Sequence, residues 1–456
     1  METTGFLIPL TKLNEFIVVL FQVTMKGGGN INEDVMIEGG ALKLFDACKK
    51  FLARSDRSFD LKKWACEGLA YLTVDAEVKE ILVDDKDTLN LLLDLAKSDD
   101  NCVTYAVCNA LCNLTNSYDK PERNPELEKV AEFAKQPVPK PHDMDSEEHV
   151  KGRIDELMAN GLVTALVNLK VTSPTSKEMI SRVFHAIVED QNHRGQVVQL
   201  GGAKVLLPLT EKGTEKGMDL AAQAIAKIGI TSDPRLAFPG QRNMEVVRPL
   251  IKLMHFKKDG LQKFESLMAL TNLASMNDDV RKRIMKEGGF QAIEACMFEE
   301  DDMIRQAATE CMCNLVLNES AFNKFKNFED VTERLKLVVL YCGEEPMELA
   351  RAAAGCLAIL TSDVVICKKV TEYKSVIDVL KCLVTSPETA VRHRGAFIVA
   401  NMMESDKEVA QFLIADEMFE VLDAVSRLPS PEDEQAKKEC KRALAAAKKW
   451  ELIEES

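Results

Sequence analysis

A short phrase recurs along this chain at a nearly constant interval: small residues, then an apolar pair that closes on Leu, Ile or Met. It closes at Leu72, Leu114, Ile187, Ile228, Leu273, Leu315, Leu360, Met402 and Leu444, in steps of 42, 73, 41, 45, 42, 45, 42 and 42 residues. A second signal keeps the same phase. Asp99, Pro174, Gly213, Asp259, Asp301, Pro346, Pro387 and Pro431 each lie 13 to 15 residues ahead of the next closing residue. A helix breaker or acidic turn followed by an apolar-striped stretch predicts a helix of about 15 residues. Glycines at Gly39-Gly40, Gly161, Gly201-Gly202 and Gly288-Gly289 then open the next unit. Gly tolerates the positive φ that a sharp helix-to-helix turn needs.

A period near 42 residues fits a stack of units with two or three helices each. No such unit buries its apolar face alone, so neighbours stack and share a core. The expected fold is all-α: a right-handed armadillo- or HEAT-like superhelix of about nine to ten repeats with a concave face. Composition agrees, with 46% hydrophobic but only 6% aromatic residues, a mix that favours helix over sheet. Pro431 begins a last helix rich in Lys and Glu around an Ala-Leu stripe, which suits an end cap. The one long step contains an insertion, roughly Asn116 to Lys151, rich in Pro and charge. It reads as a linker or external loop, with Glu126 to Lys135 as a short helix. The expected division is 1–116 as repeats of one region, 117–150 as the Pro-rich acidic insertion, and 151–456 as a second repeat domain.

Net charge is −15, so the chain lacks the overall basic footprint of a nucleic-acid binder. Its densest basic cluster, Arg281 to Arg283, reads as a solvated helix face. The apolar run Phe16 to Phe21 falls far short of the ~20 residues of a membrane span. Neither nucleic acid nor membrane is therefore expected as a partner. The 13 cysteines sit mostly in apolar helical stretches, as Cys108, Cys112, Cys311, Cys313 and Cys356 do, and match no metal or redox spacing. A reducing, cytoplasmic compartment follows. There is no Gly-rich phosphate loop and no nucleophile elbow. His185 and His193 read as structural. The expectation is a chain with no catalytic residues, metal or cofactor.

The informative residues are asparagines. Asn113, Asn272, Asn314 and Asn401 each precede a closing Leu or Met. An amide offers both a donor and an acceptor, so a ladder of them can hold the backbone of an extended polypeptide. It can equally bond the loop carbonyls of a neighbouring repeat, and the pattern leaves both readings open. The loop after Ile228 carries Phe238 before Pro239-Gly240, either a binding aromatic or a plug between repeats. Arg242 and Arg248 could meet partner carboxylates or the chain's own acids. Phe264 lies two turns before Asn272 on the same side of its helix, as core or as a groove residue.

These residues lie within longer phrases: WACEGLAYLTVDAEVKE from Trp64, ALCNLTNSYDKPE from Ala110, RLAFPGQRNMEVVRPL from Arg235, IRQAATECMCNLV from Ile304 and RAAAGCLAILTSD from Arg351. Together they resemble the UCS family of myosin chaperones, of the animal type that also carries a tetratricopeptide region. The resemblance runs over nearly the whole chain. It implies a cytosolic, ATP-independent chaperone that binds the myosin motor domain, aids its folding and assists thick-filament assembly. It places a protein-binding groove at Phe238, Phe264, Asn272 and Asn314; the residue pattern, rather than the resemblance, adds Asn113, Asn401 and Arg242 as further candidate groove positions. The ninety-kilodalton heat-shock chaperone is the family's second partner, held by tetratricopeptide repeats that are not found here. On the resemblance, this sequence starts inside the central region, as a fragment or short form. Self-association stays open.

The competing reading is an armadillo adaptor for extended peptides, or a scaffold. Nuclear-import adaptors pair each groove Asn with a Trp four residues earlier. Here those positions hold Asn109, Met268, Glu310 and Phe397.

Overall fold

The computed structural model describes residues 40–53, 59–119, 142–327, 333–415 and 417–453. Phe16 to Phe21, Gly39 and Glu126 to Lys135 lie outside them.

Every closing phrase sits near the C-terminal end of a helix. In chain order these helices are α1 Phe59–Leu72, α2 Asn101–Leu114, α3 Pro174–Glu189, α4 Glu215–Thr231, α5 Gly260–Met276, α6 Asp302–Leu315, α7 Met347–Leu360, α8 Thr389–Ser405 and α9 Glu434–Lys449. The breakers start them. Asp259 and Asp301 are N-caps whose carboxylates accept from the first free N–H groups, and Asp259 forms a capping box with Gln262. The closing residues from Leu72 to Met402 are buried, and Leu444 is half-buried.

Two shorter helices generally link consecutive long ones. After α5 come Asp278–Lys286 and Gly289–Cys296, and after α6 come Glu319–Lys326 and Arg334–Tyr341. The turn between such helices uses a left-handed residue: Gly161 at φ 92°, Gly201 at 89° and Gly288 at 79°. Three helices per repeat is the armadillo arrangement, so the fold is the one the period implies.

The described residues fall into two compact units that divide between Ile225 and Ala226. In the first, α1 packs on α2 and α2 on α3. In the second, α5, α6, α7, α8 and α9 pack in succession, with shorter helices behind them. Approach between neighbours is close. A Cβ on Gly395 of α8 would stand 2.7 Å from the carbonyl carbon of Leu383 and 2.8 Å from the backbone nitrogen of Val384. Backbone cannot yield as a side chain can. Gly395→Ala should therefore cost about 1–3 kcal/mol of stability, read as a lower urea midpoint.

Both described ends of the insertion are held inside the first unit. Lys79, with no exposed side-chain surface, donates to Asn116 Oδ1 at 2.9 Å and Asp145 Oδ1 at 2.8 Å. Arg153, 1% exposed in its side chain, donates to the Leu114 carbonyl at 3.0 Å, the Met144 carbonyl at 2.6 Å and Asp145 at 3.1 Å, and also pairs with Glu80. Asn116 turns the chain out of α2 at φ 51°. The described residues on either side of 120–141 are thus tied to each other through Lys79 and Arg153.

Candidate protein-binding face

The asparagine ladder is real, and its donors are already used. Asn113 Nδ2 donates to the Ala70 carbonyl at 3.3 Å and to Thr73 Oγ1 at 3.1 Å. Asn272 Nδ2 donates to the carbonyls of Gly229 at 2.9 Å and Ile230 at 3.1 Å. Asn314 Nδ2 reaches the Thr271 carbonyl at 3.0 Å, and Asn401 Nδ2 the Ala358 carbonyl at 3.3 Å. In all four the acceptor lies 43 residues earlier, near the C-terminal end of the preceding repeat's long helix. Most of these are carbonyls that a helix end leaves without an intrahelical donor. The amide donors stitch repeat to repeat, which is one of the two readings the pattern leaves open. The Asn401 oxygen accepts from Arg442. The oxygens of Asn272 and Asn314 accept no bond among the described residues, and both side chains are partly exposed.

Asn272→Ala removes two bonds and strands two carbonyls. We expect a loss of about 1–3 kcal/mol, seen as a lower melting temperature of the purified chain.

Phe238 is corrected. Its side chain is 0% exposed, at the end of the short helix Pro234–Ala237 that packs on α5. A Cβ on Gly229 would come within 3.2 Å of Ala269 Cβ and 3.6 Å of Phe238 Cε2. The ring fills the space between the end of α4 and α5, and is the plug rather than the binding aromatic. Arg242 is half-buried on the helix Arg242–Glu245, which packs against Asp278–Lys286. Arg248 points to Glu287 at 3.7 Å.

Phe264 is half-buried, on the same side of α5 as Met268 and Asn272. The residues four before each ladder Asn, namely Asn109, Met268, Glu310 and Phe397, are all partly exposed. In the second unit this makes two parallel rows across the packed helices α5 to α8. One holds Asn272, Asn314, Ile359 and Asn401. The other holds Met268, Glu310, Gly355 and Phe397. Gly355 makes the middle of the second row low: a Cβ there would stand 3.0 Å from Cys313 Sγ and 3.4 Å from an Arg394 nitrogen. The Arg442 guanidinium lies 5.0 Å over the Phe397 ring. Burial pushes the Cys313 thiol up to about 11 against the opposing Arg394 charge, so it stays a neutral thiol. The face therefore mixes thioether, thiol, aromatic ring, one carboxylate and amide oxygens. The sequence reading used Met268 and Phe397 only as positions that lack the import adaptors' Trp, not as members of an exposed face.

At the end of this face, a cavity of about 380 Å³ opens between the C-terminal turns of α4 and α5. Asn272, Ser275, Thr231, Asp233 and Arg235 line it. A larger cavity, about 760 Å³, lies in the first unit beside the insertion's roots. Its cations are already paired: Arg182 with Glu178 and Asp119, Lys216 with Asp119, and Lys151 with Asp190. His185 lines it, and His193 contacts Asp155 at 2.9 Å. No described helix is long and apolar enough to cross a membrane.

The chain is 41% identical over 419 residues to protein unc-45 homolog B of Xenopus tropicalis, covering 90% of this chain and 45% of that protein. Among solved structures it is similar to UNC-45 from Drosophila melanogaster, with a TM-score of 0.84 and 40% identity over 96% of this chain and 56% of that one. It is also similar to the myosin chaperone UNC-45 from C. elegans in complex with an Hsp90 peptide, with a TM-score of 0.79 and 35% identity over 88% of this chain and 44% of that one. The chain thus spans less than half the length of the Xenopus protein. No family model matches it.

Proposed function

We propose that this chain, a homologue of the UNC-45 proteins of the UCS family, binds the motor domain of a myosin heavy chain on the exposed face of α5 to α8 and protects it while it folds. The observation that carries this reading is the similarity, nearly end to end along this chain, to a structure described as a myosin chaperone. The face supports it physically. Met268, Phe264 and Phe397 offer adaptable apolar contact, and the amide oxygens of Asn272 and Asn314 can accept from backbone N–H groups of a partly folded segment. Such contacts need no nucleotide, so the protein works without hydrolysing ATP and is not an enzyme. Client folding and thick-filament assembly belong to the cytoplasm and the sarcomere, where we place it.

The ninety-kilodalton heat-shock chaperone is the second proposed partner, because the similar C. elegans protein was solved with an Hsp90 peptide. We further propose that residues 151–456 form the client-binding UCS region, that 1–116 belong to the central repeats, and that 117–150 are an insertion between them. Sedimentation of purified myosin motor domain with this chain tests the main reading. Co-migration that a Phe264→Glu/Met268→Glu variant abolishes is expected; co-migration equal in wild type and variant removes the face from the account.

The adaptor reading lacks its key pairing. Where import adaptors carry Trp, this face has Met268, Glu310, Gly355 and Phe397, of which only Phe397 offers a flat ring.

A further inference from the structure

Exposed apolar side chains gather where the N-terminal ends of α5 and α6 adjoin. Phe256 is 76% exposed, Leu261 56%, Phe298 56% and Met303 55%. Their placement repeats. Phe256 and Phe298 each lie three residues before an N-cap, Asp259 and Asp301. Leu261 and Met303 are each the second residue of their helix. The two ends are locked together: Lys263 pairs with Glu299 at 2.6 Å, and a Cβ on Gly260 would lie 3.5 Å from Ile304 Cδ1. Leu261 continues through Phe264 and Met268 at helical spacing, so this patch is the lip of the face described above. Exposed apolar side chains gathered at one end of a packed helix pair are a candidate interaction surface.

Charge divides along the lip: Lys257 Nζ lies 5.9 Å from the centroid of the Phe256 ring, while the far side is acidic. In the next repeat the position of Leu261 and Met303 is taken by Glu348, with Glu344 and Glu345 in the turn before it. Glu300 stands beside Phe298. All four carboxylates are exposed and form no ion pair among the described residues. Packed helices lie about 10 Å apart. Resting on the client reading, we propose that this lip docks a basic amphipathic segment of the client, with two apolar residues seated on Phe256/Leu261 and Phe298/Met303. A Lys or Arg about 10 Å further on would meet Glu344 and Glu348.

The test uses the full chain and a fluorescein-labelled helical peptide. Its first two turns carry Leu and Phe on one face, and its last two carry Lys on the same face; a control has Glu for Lys. Anisotropy titration should show tighter binding of the Lys peptide. Phe298→Ser/Met303→Ser should weaken it about tenfold or more. Glu344→Lys/Glu348→Lys should weaken the Lys peptide and strengthen the Glu peptide, with melting unchanged because the replaced side chains are exposed. Equal binding of both peptides, unmoved by either variant, overturns the proposal. So does a wild-type dimer, seen by sedimentation, that Phe298→Ser/Met303→Ser dissolves, because the occupant is then a second copy. If wild type still carries motor domain in sedimentation while the peptide titrations are flat, the lip fails and the client reading stands. If peptide binding follows the variants but motor domain never co-migrates, the client reading fails and the lip remains a basic-segment site.

Discussion

Arg153→Met should destabilise the first unit by about 3–5 kcal/mol, the largest stability effect expected from a single substitution here. The guanidinium is almost completely buried and serves carbonyls and carboxylates on both sides of the insertion. Methionine fills the volume but leaves Glu80 and the Leu114 and Met144 carbonyls short of a buried donor. A buried ion pair is weak evidence of net stability, yet breaking one by removing a single partner is costly because the other charge is stranded. The measurement is urea unfolding followed by circular dichroism, compared with the exposed control Lys97→Met. The same network has a pH signature. Burial by itself would raise the Asp145 carboxyl, but the hydrogen bond and charge of Lys79, with Asn116 and Arg153, outweigh it and hold the group below its ordinary value. A depressed carboxyl contributes stability above its unfolded value of about 4 and loses it as pH falls through the folded value. Wild type should therefore lose stability from about pH 4 downward, and Asp145→Asn should flatten part of that slope.

The repeat was the most legible feature of the sequence, since stacking imposes it on every unit. Among the described residues, the closing residues, the breakers and the glycine turns at Gly161, Gly201 and Gly288 fall where the period puts them. The clamp at the insertion was not legible. Lys79 and Asp145 lie 66 residues apart, and nothing local marks an exposed-looking Lys as buried. The ladder was half legible. Asn113, Asn272, Asn314 and Asn401 recur because each reaches the preceding repeat, a constraint with the same period as a binding ladder. Periodicity alone could not separate the two. Phe238 misleads for a related reason: a turn signal such as Pro239-Gly240 locates a loop but not the direction of the ring before it.

The second large effect concerns the face itself. Phe264 and Met268 are partly exposed and neither donates nor accepts a stitching bond. Glutamates there should leave melting within about 1 kcal/mol of wild type while placing charge where a client would desolvate it. Loss of a central anchor costs about 2 kcal/mol or more of binding, and paired charges should cost more. Asn272→Tyr obstructs the same face but also breaks the bonds to Gly229 and Ile230, so its effects on stability and on client mix. The glutamate pair separates them.

The most direct measurement heats purified myosin motor domain with this protein and follows light scattering. The comparison sets wild type against Phe264→Glu/Met268→Glu, after both are shown to melt alike. Scattering held down by wild type and released by the variant is the predicted result. Equal protection by both would contradict a client face on α5 to α8, and protection by neither would contradict the chaperone reading of this chain.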